Sequence, residues 1–439
     1  MKIVKIIILV VLILVIVIGY LQYPKLNIIS GYAAKNMATN VFYANRPIDS
    51  INKFDNNVPS IKLAKTNVDL DKKMTTSTVL GMMPRKVCYR EGLGAVVIDD
   101  NFDTQQNFLV PKRTKINNEL VFPYGDKDPK DSIFTNIDYT ALHKGITNAF
   151  SENHLPDEKK TRAVLVIHKD KIIAEKYATG FDKNSKFLGW SMAKSLLASV
   201  FGALEKEHKF DIHKPVISSL KTTGWENDDR TEITTHHLLK MVSGLDWEED
   251  YTKISDVTKM LFLERDMTKL QAQKKASHKP GSNFIYSSGT TNLLSGVLRA
   301  QFKTHQEYLD FPYTALIDKI GMNSMLFETD MEGNYVGSSY AWATARDWAK
   351  FGLLYLHEGN WKGEQVFNKS WSAYTATPTK ESNNEYGAHF WTNTDGFLPD
   401  APRDMYYADG YHGQRIFIIP SKDLVIVRTG LTQKGRTDS

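Results

Sequence analysis

The stretch Gly-Trp-Ser-Met-Ala-Lys-Ser-Leu-Leu at residues 189–197 decides the fold of this chain. Ser191 and Lys194 are three residues apart, and residues at that spacing share one face of a helix, so the lysine amine can reach the serine oxygen. The N-terminus of such a helix also favours the negative charge of an oxyanion. The spacing predicts a serine nucleophile with a lysine base. Since only a neutral lysine accepts a proton, it also predicts that Lys194 is buried and that its pKa is lowered.

Strand patterns lie on both sides of this helix. Residues 163–168 and 171–177 are β-rich runs joined by a turn, and they predict a hairpin. A second pair of strands is predicted at residues 415–419 and 424–428, near the C-terminus. Between the two pairs, residues 210 to about 345 have mostly helical patterns. This order predicts an α/β fold in which strands from both ends of one domain form a single sheet, with a large, mostly helical insertion.

Two further segments carry candidate chemistry. Residues 280–288 read Pro-Gly-Ser-Asn-Phe-Ile-Tyr-Ser-Ser, and a tyrosine on such a tight loop beside the nucleophile would pass the serine proton to a leaving group. Residues 410–415 read Gly-Tyr-His-Gly-Gln-Arg and enter a predicted strand. Gly413 would let a substrate approach the strand backbone, and a backbone N–H there would complete an oxyanion hole.

These three segments, in this order, resemble the penicillin-recognising serine hydrolases over about residues 150–430. That superfamily holds the class C β-lactamases, the D-alanyl-D-alanine carboxypeptidases, related esterases and the 6-aminohexanoate-oligomer hydrolases. The resemblance implies a β-lactamase/transpeptidase-like fold, with an antiparallel sheet flanked by helices. It implies Ser191 as nucleophile, Lys194 as its base and Tyr286 as partner base and proton shuttle. It also implies an oxyanion hole made by the backbone N–H groups of Ser191 and Arg415.

The sequence departs from the β-lactamase pattern at two places. Residues 286–288 read Tyr-Ser-Ser where β-lactamases commonly carry Tyr-x-Asn, and residues 412–414 read His-Gly-Gln where they carry Lys-Thr-Gly. A histidine, mostly neutral at pH 7, binds a carboxylate more weakly than lysine does. Both differences favour an esterase or amidase acting on a small-molecule or peptide-like substrate. The residues expected to bind substrate are Trp190, Ser288, His412, Gly413 and Gln414.

Two alternatives stay open. One is a β-lactamase or D-alanyl-D-alanine carboxypeptidase that binds penicillin. The other is a non-catalytic surface binding or regulatory protein on the same fold, against which the retention of Ser191, Lys194 and Tyr286 argues. No metal or cofactor is expected, because adjacent His236 and His237 point to different helix faces and no zinc motif is present. The acidic loop at residues 246–250 is interpreted as a solvated edge of the cleft.

The N-terminus predicts membrane targeting. An apolar run between residues 6 and 21 follows two lysines and lacks an Ala-x-Ala cleavage site, which is typical of an uncleaved anchor or signal. We therefore expect a membrane helix at 1–22, an extension at 23–150 and a hydrolase domain at 151–439 that faces the periplasm or the cell exterior. The net charge of +5 is scattered, so nucleic acid is not an expected partner.

Overall fold

The structure, a computed structural model, describes residues 2–114, 119–129, 132–151, 159–220 and 224–433, without the side chains of residue 2 and residues 9–21. The helices are α1 (Lys2–Phe42), α2 (Ile48–Ser50), α3 (Tyr139–Phe150), α4 (Met192–His208), α5 (Thr235–Leu239), α6 (Asp256–Leu263), α7 (Ser288–Arg299), α8 (His305–Pro312), α9 (Ala345–Leu356) and α10 (Lys369–Ala376). The predicted nucleophile helix is confirmed as α4, and helices α5 to α8 occupy the predicted insertion.

The strands are β1 (Ala64–Asp69), β2 (Met74–Val79), β3 (Met82–Arg90), β4 (Gly94–Ile98), β5 (Thr161–His168), β6 (Lys171–Tyr177), β7 (Lys186–Leu188), β8 (Leu326–Phe327), β9 (Ala341–Thr344), β10 (Asn360–Trp361), β11 (Glu364–Gln365), β12 (Trp391–Thr392), β13 (Tyr406–Gly410), β14 (Gln414–Ile419) and β15 (Leu424–Gly430). The central sheet is antiparallel, in the order β12-β13-β14-β15-β5-β6. Val425 of β15 pairs with Ile167 of β5. The prediction that strands from both ends of the domain share one sheet is therefore confirmed.

Helices cover both faces of the central sheet. Successive side chains of a strand point to opposite faces. Leu165 and Ile167 accordingly join the main core with α4 and α9, whereas Val164 and Val166 pack with Ile146 of α3. Helix α4 lies on the same face as α9, so its N-terminal end is held by the main core beside β13. This packing places Ser191, just before α4, near the end of a sheet strand.

The N-terminal region has more regular structure than its sequence indicates. Strands β1 to β4 form an antiparallel sheet, and the second half of α1 packs against it and against α6. The prediction of an extension at 23–150 does not include this sheet. The reason is that β1 and β2 are polar and only half-buried, reading Ala-Lys-Thr-Asn-Val-Asp and Met-Thr-Thr-Ser-Thr-Val. One face packs on α1, so apolar alternation along these strands is weak.

A buried ion pair joins α1 to the rest of the chain. Lys35 Nζ lies 2.6 Å from Glu328 Oε2, and the Glu328 side chain is fully buried. Glu328 also accepts hydrogen bonds from the Thr39 hydroxyl, the Ala95 N–H and the Trp342 indole N–H. Each oxygen of this carboxylate is thus satisfied, as a buried charge requires. The N-terminal helix is thereby linked to the insertion by a paired charge.

The structure does not support the predicted N-terminal membrane helix. In the part of the chain that it describes, no helix is both long enough and apolar enough to cross a bilayer. The side chains of residues 9–21, on which that prediction depends, lie outside the described residues. Helix α1 continues without a break past the predicted boundary at residue 22, with Pro24 inside it.

Candidate active site

A sharp turn presents Ser191 at the start of α4. Ser191 is the N-cap residue of this helix, and Trp190 before it has a φ of +48°, a left-handed conformation that bulky residues rarely adopt. Gly189 has no room for a side chain, because a Cβ would lie 2.6 Å from the Trp348 ring. A residue in such a conformation costs roughly 1 to 3 kcal/mol and persists only where its surroundings enforce it. Packing therefore fixes the position of Ser191.

Lys194 reaches Ser191 as its spacing predicts. Its Nζ lies 3.1 Å from Ser191 Oγ, 2.9 Å from Ser288 Oγ and 2.9 Å from the Ser338 carbonyl oxygen. A neutral amine has two N–H donors and one lone pair. Donation to Ser288 and Ser338 would leave the lone pair directed at the Ser191 hydroxyl. This arrangement suits the removal of the serine proton.

Burial increases the fraction of Lys194 that is neutral near physiological pH. The side chain is only 1% exposed, and its pKa is lowered to about 8 because burial disfavours the ammonium form. The negative charges of Glu249 and Asp409 act in the opposite direction, raising the pKa of Lys194. The prediction of a buried lysine with a lowered pKa is confirmed.

Tyr286 lies next to this pair. It directly precedes the N-cap residue of α7, Ser287, whose hydroxyl accepts a hydrogen bond from the Thr290 N–H. The centroid of the Tyr286 ring is 5.0 Å from Lys194 Nζ, and the ring packs against Trp391 with centroids 5.7 Å apart. Tyr286, which is far from Ser191 and Lys194 in sequence, is therefore brought next to this pair.

Glu249 extends this group, and sequence reasoning missed it. The Ser288 hydroxyl donates to Glu249 Oε1 over 2.5 Å, and the Ser288 N–H donates to Oε2 over 2.9 Å. The Trp247 indole N–H also donates to Oε2. Interpretation of the whole acidic loop as a solvated edge is wrong for Glu249. The available signal was the pattern Trp-x-Glu-x-Tyr at 247–251, which turns alternate side chains inward.

The Trp190 ring lies in an aromatic cluster. Tyr32 of α1 stacks on it with centroids 6.2 Å apart, and Tyr251 and Tyr411 meet it edge-on. Trp190 is 6% exposed. The structure therefore places this predicted substrate-binding residue in packing that supports the turn before Ser191, with little surface left for a ligand.

The predicted third motif forms the turn between β13 and β14. His412 Nδ1 is bonded to the Thr432 carbonyl oxygen. The Gln414 amide donates to the carbonyl oxygens of Tyr411, His412 and Gly430, and its oxygen accepts from the Gly430 N–H. Both side chains are buried. Through these bonds His412 and Gln414 stabilise the turn. The sequence had instead predicted that both residues contact the substrate.

Gly413 is needed for a different reason from the one predicted. Its φ is +76°, and a Cβ there would lie 2.4 Å from Arg428 Nη1 and 3.0 Å from Thr432 Oγ1. Arg428 in turn donates to the carbonyl oxygen of Gly413 over 2.7 Å. The group that closely approaches Gly413 is thus the Arg428 side chain of the protein itself. The sequence had predicted that a substrate would approach there.

Comparison with known proteins identifies the family. A family model described as beta-lactamase matches residues 157–437, well over half of the chain. The chain belongs to the beta-lactamase family. It is 25% identical over 297 residues to a 6-aminohexanoate-dimer hydrolase of Paenarthrobacter ureafaciens, covering 62% of this chain and 73% of that protein. The beta-lactamase family membership and this relative support a serine hydrolase.

Two solved structures are similar in fold. A putative 6-aminohexanoate-dimer hydrolase from Bacillus anthracis has a TM-score of 0.53 at 22% identity, covering 62% of this chain and 74% of that one. A putative beta-lactamase from Bacteroides dorei has a TM-score of 0.54 at 16% identity, covering 69% of this chain and 93% of that one. At these identities the likeness concerns the beta-lactamase/transpeptidase-like fold, which confirms the predicted fold class.

The position of Arg415 in this beta-lactamase-family chain argues against its predicted oxyanion role. Arg415 lies on β14, an interior strand, paired with Asp409 on one side and Arg428 on the other. The N–H groups of an interior antiparallel strand bond to its two neighbours. The predicted role of the Arg415 N–H is therefore wrong, because strand register places it inside the sheet. Its guanidinium Nε instead binds Asp409 Oδ1 over 2.8 Å.

In this beta-lactamase-family chain, the sheet edge that contacts the turn before Ser191 is the end of β13. Strand β12 pairs only with Tyr406 and Tyr407, so in the described chain no strand covers the outer side of residues 408–410. A Cβ on Gly410 would lie 2.1 Å from the Gly189 carbonyl oxygen, so this edge contacts the turn itself. The signal missed in sequence was Ala-Asp-Gly at 408–410, directly before the predicted motif.

Proposed function

We propose that this chain hydrolyses an ester or amide bond through a covalent acyl-Ser191 intermediate. The observation that carries the proposal is the set of three contacts of Lys194 Nζ, which leaves the lone pair of a neutral amine facing Ser191 Oγ. Burial also lowers the pKa of Lys194 to about 8, which makes the form that accepts a proton available near neutral pH.

The proposed reaction has two halves. Ser191 Oγ attacks the substrate carbonyl carbon while Lys194 Nζ takes the hydroxyl proton, and Tyr286 delivers a proton to the leaving oxygen or nitrogen as its bond to the carbonyl carbon breaks. Water then attacks the acyl carbonyl carbon and gives its proton to the Tyr286 phenolate, while Lys194 returns its proton to Ser191 Oγ as the bond between Oγ and the carbonyl carbon breaks. The acid is released, and Ser191, neutral Lys194 and Tyr286 are restored. The backbone N–H of Ser191 and the uncovered backbone at the end of β13, residues 408–410, are proposed to stabilise the oxyanion.

Glu249 is proposed to act through Ser288 as a positioning residue. The Ser288 hydroxyl accepts from Lys194 and donates to Glu249, so the carboxylate orients this hydroxyl as an acceptor. Ser288 occupies the position where β-lactamases commonly carry an asparagine. We infer that Ser288 orients Lys194 in this chain, and that the preferred substrate has no β-lactam ring.

Labelling by a fluorophosphonate probe tests the proposed nucleophile. We expect covalent labelling of the wild type at Ser191 and turnover of a neutral p-nitrophenyl ester, with both lost in Ser191→Ala. Ser195→Ala is the matched control, because Ser195 is buried one helical turn along α4 and its hydroxyl bonds the His389 carbonyl oxygen. No labelling of the folded wild type would contradict the proposal. Stable labelling by fluorescent penicillin would favour the penicillin-binding alternative.

The same probe reports location. We propose that the apolar N-terminal run anchors the chain in a membrane with the hydrolase domain on the outer side. The support for this proposal is the sequence between residues 6 and 21. Labelled protein should then sediment with the membranes after the expressing cells are lysed. In intact cells, labelling by an impermeant probe should match labelling by a permeant one. Recovery of the labelled protein in the soluble fraction would contradict the anchor.

The pH dependence of turnover follows from Lys194. Since the base must be neutral and its pKa is lowered to about 8, kcat/KM for a neutral ester should rise with pH through that value and then level off. An unperturbed lysine would put the rise near pH 10.4. Steady-state rates between pH 6 and 10 measure the inflection. A profile that is flat between pH 7 and 9 would contradict the proposed base.

A charge variant checks the assignment of that inflection. The carboxylate of Glu249 raises the pKa of Lys194, so Glu249→Gln should move the inflection to lower pH. Glu248→Gln is the control, because Glu248 lies on the same loop, is exposed and pairs with Lys253. An unchanged inflection in Glu249→Gln would show that another group titrates.

A further inference from the structure

A second cavity lies between the N-terminal extension and the hydrolase domain. Its volume is about 40 Å³, which holds about three water molecules or one anion of similar size. Its charged lining residues are Arg46 and Asp55 from the extension, with Arg162 of β5 and Lys186 of β7 from the domain. Ser191 does not line it. The mechanism proposed above assigns this cavity no role.

One carboxylate and two guanidinium groups meet in the wall of this cavity. Asp55 Oδ2 lies 2.7 Å from Arg46 Nη1, and Asp55 Oδ1 lies 2.8 Å from Arg162 Nη1. The two guanidinium groups also lie over the same Phe181 ring, 5.2 and 5.0 Å from its centroid. The side chains of Arg46 and Arg162 are only 11% and 14% exposed. Two like charges are thus held close together and largely out of water.

The charges that line the cavity do not balance. Three of these side chains, Arg46, Arg162 and Lys186, are positive, and Asp55 alone is negative. Arg162 also has donors to spare. Only its Nη1 is bonded, to Asp55, and its Nε and Nη2 form no hydrogen bond within the described residues. Because Arg162 lines the cavity, these N–H groups are available to a ligand inside it.

This lining favours an anion that carries two or more oxygens. Guanidinium groups bind carboxylates and phosphates through paired, charge-assisted N–H···O bonds. A cation would be repelled by the excess positive charge, and an apolar group would leave the buried donors unsatisfied. Water would satisfy the donors but would leave the charges unbalanced. A small oxyanion does both.

The cavity borders the packing that supports the turn before Ser191. Trp190 lines it, as does Tyr32 of α1, which stacks on the Trp190 ring. The His412 and Gln414 side chains, which stabilise the turn between β13 and β14, line it on the side of the sheet. A ligand held here would therefore contact the extension and the domain together.

We propose that this cavity is a binding site for a small oxyanion, a carboxylate or a phosphate, held by Arg46, Arg162 and Lys186. The bound anion supplies the counter-charge that Asp55 alone cannot, and it joins the extension to β5 and β7. Arg46 and Asp55 lie outside the segment 157–437 that the family model matches, so the extension completes a ligand site that this segment contains only in part. The site is separate from the proposed hydrolysis at Ser191.

Calorimetric titration of the full-length chain with sodium phosphate and with sodium acetate at pH 7 tests the site. We expect at least one of the two anions to bind with a Kd below about 1 mM, and the tighter of them tells a phosphate site from a carboxylate site. Arg162→Met should raise the Kd at least about tenfold and Lys186→Met at least about threefold, because each removes a positive charge from the lining. Lys183→Met is the matched control, since Lys183 is exposed, pairs with Asp128 and does not line the cavity.

The variants are chosen so that the fold survives. In Arg162→Met the buried Asp55 carboxylate keeps Arg46 as its partner, and Lys186→Met leaves both contacts of Asp55 in place. If Arg162→Met does not fold, Lys186→Met decides alone. A Kd that is unchanged in a folded variant of either residue would overturn the site, as would the absence of phosphate and acetate binding to the folded wild type.

Two further measurements define what is bound and where. Chloride at the same ionic strength should compete weakly, and displacement of the oxyanion at equal concentration would overturn the preference for oxygen ligands. Anion binding should persist after a fluorophosphonate has blocked Ser191, and its loss would place the anion at the nucleophile instead. Since binding is measured and not turnover, failure of the proposed hydrolysis leaves the comparison of the variants intact.

Discussion

Replacing Lys194 with methionine is expected to lower kcat/KM for a neutral aryl ester by about 10²- to 10⁴-fold, the contribution of a well-placed general base. Lys194 Nζ is the nitrogen that lies 3.1 Å from Ser191 Oγ, so the variant leaves the nucleophile without its acceptor. Methionine keeps most of the buried volume, and the fold should therefore survive. Steady-state kinetics and circular dichroism at pH 8 measure the two effects separately.

The control for this variant is Lys240→Met. Lys240 is also buried, and burial lowers its pKa to about 8 as well. Its Nζ donates to the main-chain carbonyl oxygens of Tyr374 and Thr377, away from Ser191. Loss of activity on the same scale in Lys240→Met, or retention of more than about a tenth of the activity in Lys194→Met, would contradict the role of Lys194.

Replacing Lys35 with methionine is expected to lower the free energy of unfolding by about 3 to 5 kcal/mol, because it leaves the Glu328 carboxylate buried without its counter-charge. The double variant Lys35→Met with Glu328→Gln should be more stable than the single one, since no buried charge remains. Guanidinium unfolding followed by tryptophan fluorescence measures each difference.

An exposed ion pair provides the comparison. Lys73 and Glu91 form a contact of 3.2 Å with side chains 52% and 80% exposed, and Lys73→Met should cost no more than about 1 kcal/mol. If Lys35→Met were as stable as Lys73→Met, the Lys35–Glu328 contact would contribute no more to stability than an exposed ion pair does. The ion pair would then not link α1 to the insertion.

The sequence predicted those parts of the fold whose patterns are local. Helix α4, the β5–β6 hairpin and the β14–β15 pair follow from apolar periodicity and turn residues, and the Ser191–Lys194 contact follows from helical spacing. Tyr286 was placed by resemblance, and the structure brings its ring to Lys194. These features needed no knowledge of strand order or register.

Other features depend on tertiary arrangement. Whether Arg415 lies on an edge or an interior strand is set by the pairing of β13, β14 and β15, and no local pattern reports it. Glu249 is one acid among several on its loop, and only its contact with Ser288 distinguishes it. The polar strands β1 and β2 are recognised as a sheet only once α1 covers one of their faces.

The stacking of Tyr32 on Trp190 bears on how this protein is handled in the laboratory. The family model begins at residue 157, and a shortened chain started there would discard Tyr32, a packing partner of Trp190 next to Ser191. It would also strip the partner of Glu328 and uncover the apolar surface beneath α1. The segment that the family model matches is thus shorter than the segment that would keep this packing. Expression designs should keep the second half of α1 joined to the hydrolase.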